Sequence, residues 1–186
     1  MKIILASKSP RRKELLAEIT SDFEIKTAEV DETLPDGVHP REGVEILAVR
    51  KGEAVAKEDP DALVVSSDTL VEIGGVALGK PCDEEDAFGM LTALSGKAHN
   101  VHTGVAVHYN GRVYSGVAST AVYFKEMSEK EIRDYIATGD PMDKAGSYGI
   151  QSGGGKFVEK IEGDYDTVVG LSVSLVKKLI DEAEND

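Results

Sequence analysis

Asp68 stands in "VVSSDTLV", at the end of an apolar run, and Lys80 follows in "LGKP". A carboxylate at a strand end can take a proton from water or hold a divalent cation. A lysine on a loop offers a point charge to a phosphate. Ser7, Ser9, Arg11 and Arg12 in "LASKSPRRKELL" are a second set of groups suited to an anion. With Ser9 as N-cap and Pro10 at the first helical position, the arginines take the second and third positions. Glu or Gln would stabilise the third position, whereas each cation in a first turn costs about 0.3–1 kcal/mol against the helix dipole. A bound anion reverses that sign, because free N–H groups and two guanidinium forks then act on one ligand. Glu29, Asp31 and Glu32 form an acidic cluster whose oxygen donors suit magnesium or manganese, with water and substrate phosphates completing the shell.

Each of these residues also has a plainer reading. The arginines can extend into solvent or pair with Glu14. Asp68 can satisfy local turn hydrogen bonds, Lys80 can be a surface lysine, and the acidic cluster can be an exposed loop. The elements that carry them weigh on the choice, since ligands of α/β sheets sit at the carboxyl ends of strands.

Residues 2–6 read as a buried strand, followed by a helix from Pro10 to about Glu18 with Leu15, Leu16 and Ile19 inward. A short strand at 23–29 precedes the acidic loop. A helix from about Arg41 to Lys57 follows, with Val44, Leu47, Ala48, Lys51 and Val55 at helical spacing. "DALVVSSDTLVEI" reads as a buried strand, "GGVALGKP" as a hairpin return and loop, and Asp83 as the cap of a helix ending near Gly96. Asn110-Gly111 between two β-rich runs marks a hairpin. "SEKE" at Ser128–Glu131 is a capping box whose helix stops before Gly139. "GSYGIQSGGGKFVEKIEGDY" is too rich in glycine for a helix and reads as a loop entering a strand. A final amphipathic helix starts at Ser172. The alternation predicts a mixed-sheet α/β protein.

The 186 residues, 41% hydrophobic, suit a single domain or two tightly joined lobes. The net charge of -13 argues against nucleic acid as a partner, because a duplex binder needs a basic face. No apolar stretch reaches the roughly 18 residues of a membrane span, and the first six residues read as a strand rather than a signal peptide. The expectation is a cytoplasmic protein without membrane partners. The single cysteine, Cys82, reads as an inert thiol in a reducing compartment. His39, His99, His102 and His108 lack metal-ligand spacing and read as structural or exposed. No G-x-G-x-x-G or Walker loop is present.

Taken together, "LASKSPRRKELL", "EVDE", "SSDTLVEIGGVALGKPCDEEDAFGMLTALSGKAHNVHTGVAV", "DKAGSYGIQSGGGKFVEKIEGDY" and "VVGLS" resemble the Maf family of nucleotide pyrophosphatases, in order, from about residue 3 to residue 175. The resemblance implies one Maf-like domain over residues 1–186. Its implied fold is an elongated, two-lobed mixed sheet flanked by helices, similar to the inosine-triphosphate pyrophosphatases, with the active-site cleft between the lobes. It implies hydrolysis of a nucleoside triphosphate between the α- and β-phosphates, with a divalent cation as cofactor. It assigns Asp68 as proton acceptor, and Ser7, Arg11, Arg12, Lys51 and Lys80 to the phosphates. Glu32 and Asp68 would face the metal, and Arg11, Thr69 and Gln151 match positions of base selection. The branch acting on 7-methyl-GTP carries Trp at the position of Arg11 and Gln at that of Thr69, so this chain resembles the dTTP/UTP branch. A Gln amide, donor and acceptor at once, suits the imide edge of thymine or uracil. The family habit is a homodimer and a house-cleaning role linked to arrest of cell division. The alternatives are the same chemistry on another non-canonical nucleotide, or a nucleotide-binding regulator of septum formation without turnover. Gly52 stands where the family often has alanine, at a cost of about 1 kcal/mol in a helix. Ser172 replaces a proline and should alter only the last helix cap. Whether Asp68 is base, metal ligand or both does not follow from the sequence.

Overall fold

The structure, a computed structural model, describes all 186 residues. Seven strands form one mixed sheet: β1 (Ile3–Leu5), β2 (Glu24–Ile25), β3 (Leu63–Ile73), β4 (Val76–Leu78), β5 (Ala98–Tyr109), β6 (Arg112–Phe124) and β7 (Val158–Glu162). The strand order is β2-β1-β3-β5-β6-β7, with β4 paired to β3. β1 is parallel to both β2 and β3, whereas β3/β4 and β6/β7 are antiparallel. Six α-helices accompany them: α1 (Pro10–Ala17), α2 (Pro40–Ala56), α3 (Glu84–Leu94), α4 (Glu129–Ala137), α5 (Tyr165–Val169) and α6 (Val173–Asn185). The chain divides into two compact units, and β3, β5 and β6 each contribute residues to both.

The first unit comprises 1–69, 103–118 and 170–186. Ile4, Ala6, Val55, Ala62 and Val64 pack as one buried cluster, so β1 and β3 are dry where they pair and α2 turns its apolar face inward. This explains why residues 3–5 and 63–66 read as near-continuous apolar runs: parallel strands covered on both faces need no alternation. α2 lies close enough to β5 that a Cβ on Gly104 would sit 2.2 Å from the Val44 carbonyl oxygen. β2 is shorter than the 23–29 segment predicted. Its two residues are exposed, with charged neighbours, as befits a blunt edge strand. Lys26 and Lys2 both reach Asp59, at 2.6 and 3.0 Å, and tie the β2–β1 side to the loop before β3.

The second unit comprises 70–102 and 119–169. Its core gathers Leu91 and Leu94 of α3, Ile132, Tyr135 and Ile136 of α4, and the strand residues Val101, Val122 and Phe124. Phe124 meets His99 and Tyr148 edge-on at 4.9 and 4.7 Å between centroids, and Phe157 meets Tyr135 at 5.3 Å. Such pairs contribute about 0.5–1.5 kcal/mol each beyond area burial.

The turn and cap chemistry agrees with the sequence in detail. Asn110 (φ 50°) and Gly111 (φ 75°) are both left-handed, as a two-residue hairpin turn requires. Ser9, Asp83 and Ser172 each cap their helix through a side-chain oxygen, and Ser128 with Glu131 forms the reciprocal capping box. α2 starts one residue earlier than predicted, because His39 takes the cap position and its Nδ1 accepts from the Arg41 N–H at 3.2 Å. α5 and three short 3-10 turns at 140–143, 145–147 and 153–157 lie where only loop was expected.

Candidate active site

α1 opens directly after β1, and its first turn carries no acidic residue. The Ser7 hydroxyl accepts from the Ser9 N–H at 3.2 Å, which folds the "ASKS" link into a tight entry to the helix. Arg12 is held from three sides. Its Nε donates to the Gly170 carbonyl at 2.8 Å, one terminal nitrogen to Thr69 Oγ1 at 3.2 Å and the other to Ser7 Oγ at 3.5 Å. The Thr69 hydroxyl also meets Thr103 Oγ1 at 2.9 Å. Gly170 has φ 132°, a left-handed value that favours glycine, and its carbonyl accepts from Ser67 Oγ as well. Desolvation lowers the Arg12 pKa, with the Asp68 charge opposing, but a guanidinium stays ionised throughout the physiological range.

Arg11, beside it, is half-buried and makes no hydrogen bond or ion pair. Neither arginine pairs with Glu14, so that reading of the dibasic stretch does not describe the fold. Lys13 is exposed, as expected. The first turn of α1 therefore carries one cation wired in place and one uncommitted.

Asp68 lies on β3 just before the chain passes into the second unit, and is 8% exposed. Its Oδ1 accepts from Lys51 Nζ of α2 at 2.6 Å. The same ammonium meets Glu32 Oε1 at 2.9 Å. One lysine thus gathers two carboxylates, one buried and one exposed, from a strand and from the acidic loop. Lys51, grouped with the phosphate-binding residues in the sequence, spends its charge on Asp68 and Glu32. Of the rest of the acidic loop, Asp31 Oδ1 accepts from the Thr33 N–H at 2.8 Å, and Arg50 donates to the Asp31 and Thr33 carbonyls. The loop is laced to α2 by Arg50, a residue the sequence reading passed over.

Lys80 and Gln151 belong to the second unit. Both are exposed and neither has a hydrogen-bonding partner. Gln151 sits third in a four-residue turn closed by the Ser152 N–H to the Gly149 carbonyl at 3.2 Å. Ahead of that turn, buried Ser147 holds φ 63°, a value costing a non-glycine residue about 1–2 kcal/mol. Its hydroxyl lies 3.1 Å from the Met90 sulfur.

The four histidines play the structural or exposed roles predicted. His99, His102 and His108 are buried and hydrogen-bonded, to Tyr148, to Glu72 with Ser119, and to the Val49 carbonyl. No group of three or more His, Cys, Asp or Glu converges as a metal cage.

Residues 2–183 match the family described as Maf-like protein. The chain belongs to the Maf family. Maf relatives include the dTTP/UTP pyrophosphatase of Pelotomaculum thermopropionicum (strain DSM 13744 / JCM 10971 / SI), 48% identical over 96% of this chain and 94% of that protein. The dTTP/UTP pyrophosphatases of Bacillus cereus (strain B4264) and Geobacillus sp. (strain WCH70) are also 48% identical, covering 96% and 92% of this chain and 94% and 92% of their own lengths. Among solved structures, the Staphylococcus aureus Ham1 protein aligns with a TM-score of 0.50 at 16% identity, over 67% of this Maf chain and 72% of its own. That likeness concerns the fold alone.

Proposed function

We propose that this chain hydrolyses dTTP and UTP to the nucleoside monophosphate and pyrophosphate. The observation that carries the reading is the placement of Asp68. It is a buried carboxylate bonded to Lys51, and the next residue, Thr69, accepts from Arg12 at 3.2 Å, so adjacent positions of β3 hold a carboxylate and an anion-binding fork. The names of the relatives, at 48% identity over nearly the whole chain, support the nucleotide class.

The residues divide the work. Arg12, held by Gly170, Thr69 and Ser7, presents its guanidinium to the triphosphate without further ordering, and Arg11 adds an uncommitted charge. Lys80 contributes a point charge to the leaving pyrophosphate. Lys51 fixes the Asp68 carboxylate in direction, so that it can orient a water and accept its proton as the α-phosphorus is attacked. Gln151 reads the imide edge of the base.

A divalent cation fits the donor set. Asp68 and Glu32 are hard oxygen donors already gathered on one positive charge, and magnesium commonly takes one or two carboxylates plus substrate phosphates. Asp68 and Glu32 would hold it, and when bound it supplies charge neutralisation and a more acidic water. The proposal includes the homodimer, which light scattering at assay concentration checks.

The test is a panel of pyrimidine and purine triphosphates ranked by kcat/KM with magnesium, for the wild type and Asp68→Asn. The account expects dTTP and UTP at the top. It expects Asp68→Asn to lose about 10²–10⁴-fold in kcat with its circular dichroism unchanged. Turnover equal in both proteins would contradict it, and so would nucleotide binding with no turnover in the wild type.

A further inference from the structure

The turn that presents Gln151 is fastened at both ends to one carboxylate. Asp140 opens the 3-10 turn after α4, and its Oδ2 accepts from the Tyr135 hydroxyl and from Ser152 Oγ, the latter at 2.7 Å. The Tyr135 oxygen in turn accepts from the Gly149 N–H at 3.1 Å. Gly149 and Ser152 are the first and fourth residues of the Gln151 turn. Lys144 closes the other side of Asp140, donating to Oδ1 and to the Asp140 carbonyl, both at 2.9 Å.

The arrangement is built for rigidity. Tyr135 is 1% exposed and anchored in the core of the second unit against Phe157. Burial pushes the Asp140 pKa up, but hydrogen bonds from Tyr135, Lys144 and Ser152 outweigh it and hold the carboxyl below its ordinary value. Gln151 itself is exposed and makes no hydrogen bond in the protein. An amide whose neighbours on both sides are pinned, while its own polar groups are left free, is suited to reading a ligand.

We propose that Asp140, acting through Tyr135 and Ser152, is a positioning residue that fixes the Gln151 turn for base selection. The inference rests on the reading of Gln151 as the residue facing the base. A side chain aimed by a pre-formed turn discriminates because the wrong base leaves its donor and acceptor unpaired. Loosening the turn lets the amide adapt, and preference falls before chemistry does.

The experiment compares dTTP with dATP in Tyr135→Phe, Ser152→Ala and Gln151→Ala, and in each of the first two combined with Gln151→Ala. Tyr135→Phe and Ser152→Ala should raise KM for dTTP by about 3–10-fold with kcat within about twofold, and should narrow the dTTP-over-dATP preference. Neither should narrow it further once Gln151 is alanine. Ser152→Thr, which keeps the hydroxyl, should restore the preference. Hydrogen exchange at the Gly149 amide should quicken in Tyr135→Phe while its circular dichroism stays that of the wild type. An unchanged preference in folded Tyr135→Phe and Ser152→Ala, beside a lowered one in Gln151→Ala, overturns the positioning role alone. An unchanged preference in Gln151→Ala overturns the base-selection reading and the positioning role with it.

Discussion

At the scale of single residues, two side chains that look alike in the sequence receive opposite assignments. Arg12 is wired to Gly170, Thr69 and Ser7, and Arg11 is free. Thr69 is the hinge of this contrast, because its hydroxyl is shared between Arg12 and Thr103. Thr69→Val should therefore raise KM about 3–10-fold for every triphosphate alike, through a looser Arg12. A selective loss for pyrimidines, measured in the same assay, would assign Thr69 to the base instead. His99 supplies a second residue-scale prediction. Burial lowers its pKa to about 4, and its Nδ1 has no partner to stabilise a charged ring. The unfolded chain protonates this histidine near pH 6.5 and the native chain does so only near 4. Stability should therefore fall as pH drops between those values, by up to about 3 kcal/mol, and be unaffected by this group above pH 6.5. Urea unfolding at pH 7 and pH 4.5 measures it, and His99→Gln should flatten the slope.

At the scale of elements, α2 shows how a local rule yields to packing. By propensity Gly52 costs the helix about 1 kcal/mol relative to alanine. In the fold, a Cβ there would stand 2.4 Å from the His108 ring and 2.5 Å from Ser66 Oγ, so glycine is what lets α2 lie against β3 and β5. Gly52→Ala should lower the melting temperature, with overpacking of about 1–3 kcal/mol exceeding the propensity gain. The pair Gly52→Ala with His108→Ala should lose less than the sum of the two single changes. A rise in melting temperature for Gly52→Ala would mean that the contact relaxes freely. Most elements were legible because their signals are local. Asn110-Gly111, the capping box at Ser128–Glu131 and the Ser9-Pro10 start each fix a backbone conformation by their own chemistry. β2 was overestimated because the 23–29 segment carries β-prone residues, while pairing to β1 extends over only two of them. The 3-10 turns were missed because side-chain bonds between neighbouring turns, such as Asp140 with Ser152, hold them without any periodicity.

At the scale of the molecule, the acidic balance and the cationic helix start are reconciled. The chain carries a net charge of -13, yet Arg11 and Arg12 at the start of α1 form no ion pair with a carboxylate, and Lys51 pairs with Asp68 and Glu32. The sequence named Ser7, Arg12, Glu32, Lys51, Asp68 and Thr69. The first unit joins Ser7, Arg12 and Thr69 in one hydrogen-bonded group and Glu32, Lys51 and Asp68 in one ion-paired group. What the sequence did not disclose is which partner each would hold: Gly170 lies 158 residues from Arg12, and only folding brings its carbonyl there. The central claim is the bond that breaks. Phosphorus-31 NMR of UTP incubated with the protein and magnesium tests it most directly. The account predicts UMP and pyrophosphate in equal amounts from the first turnovers, whereas UDP with inorganic phosphate would contradict it.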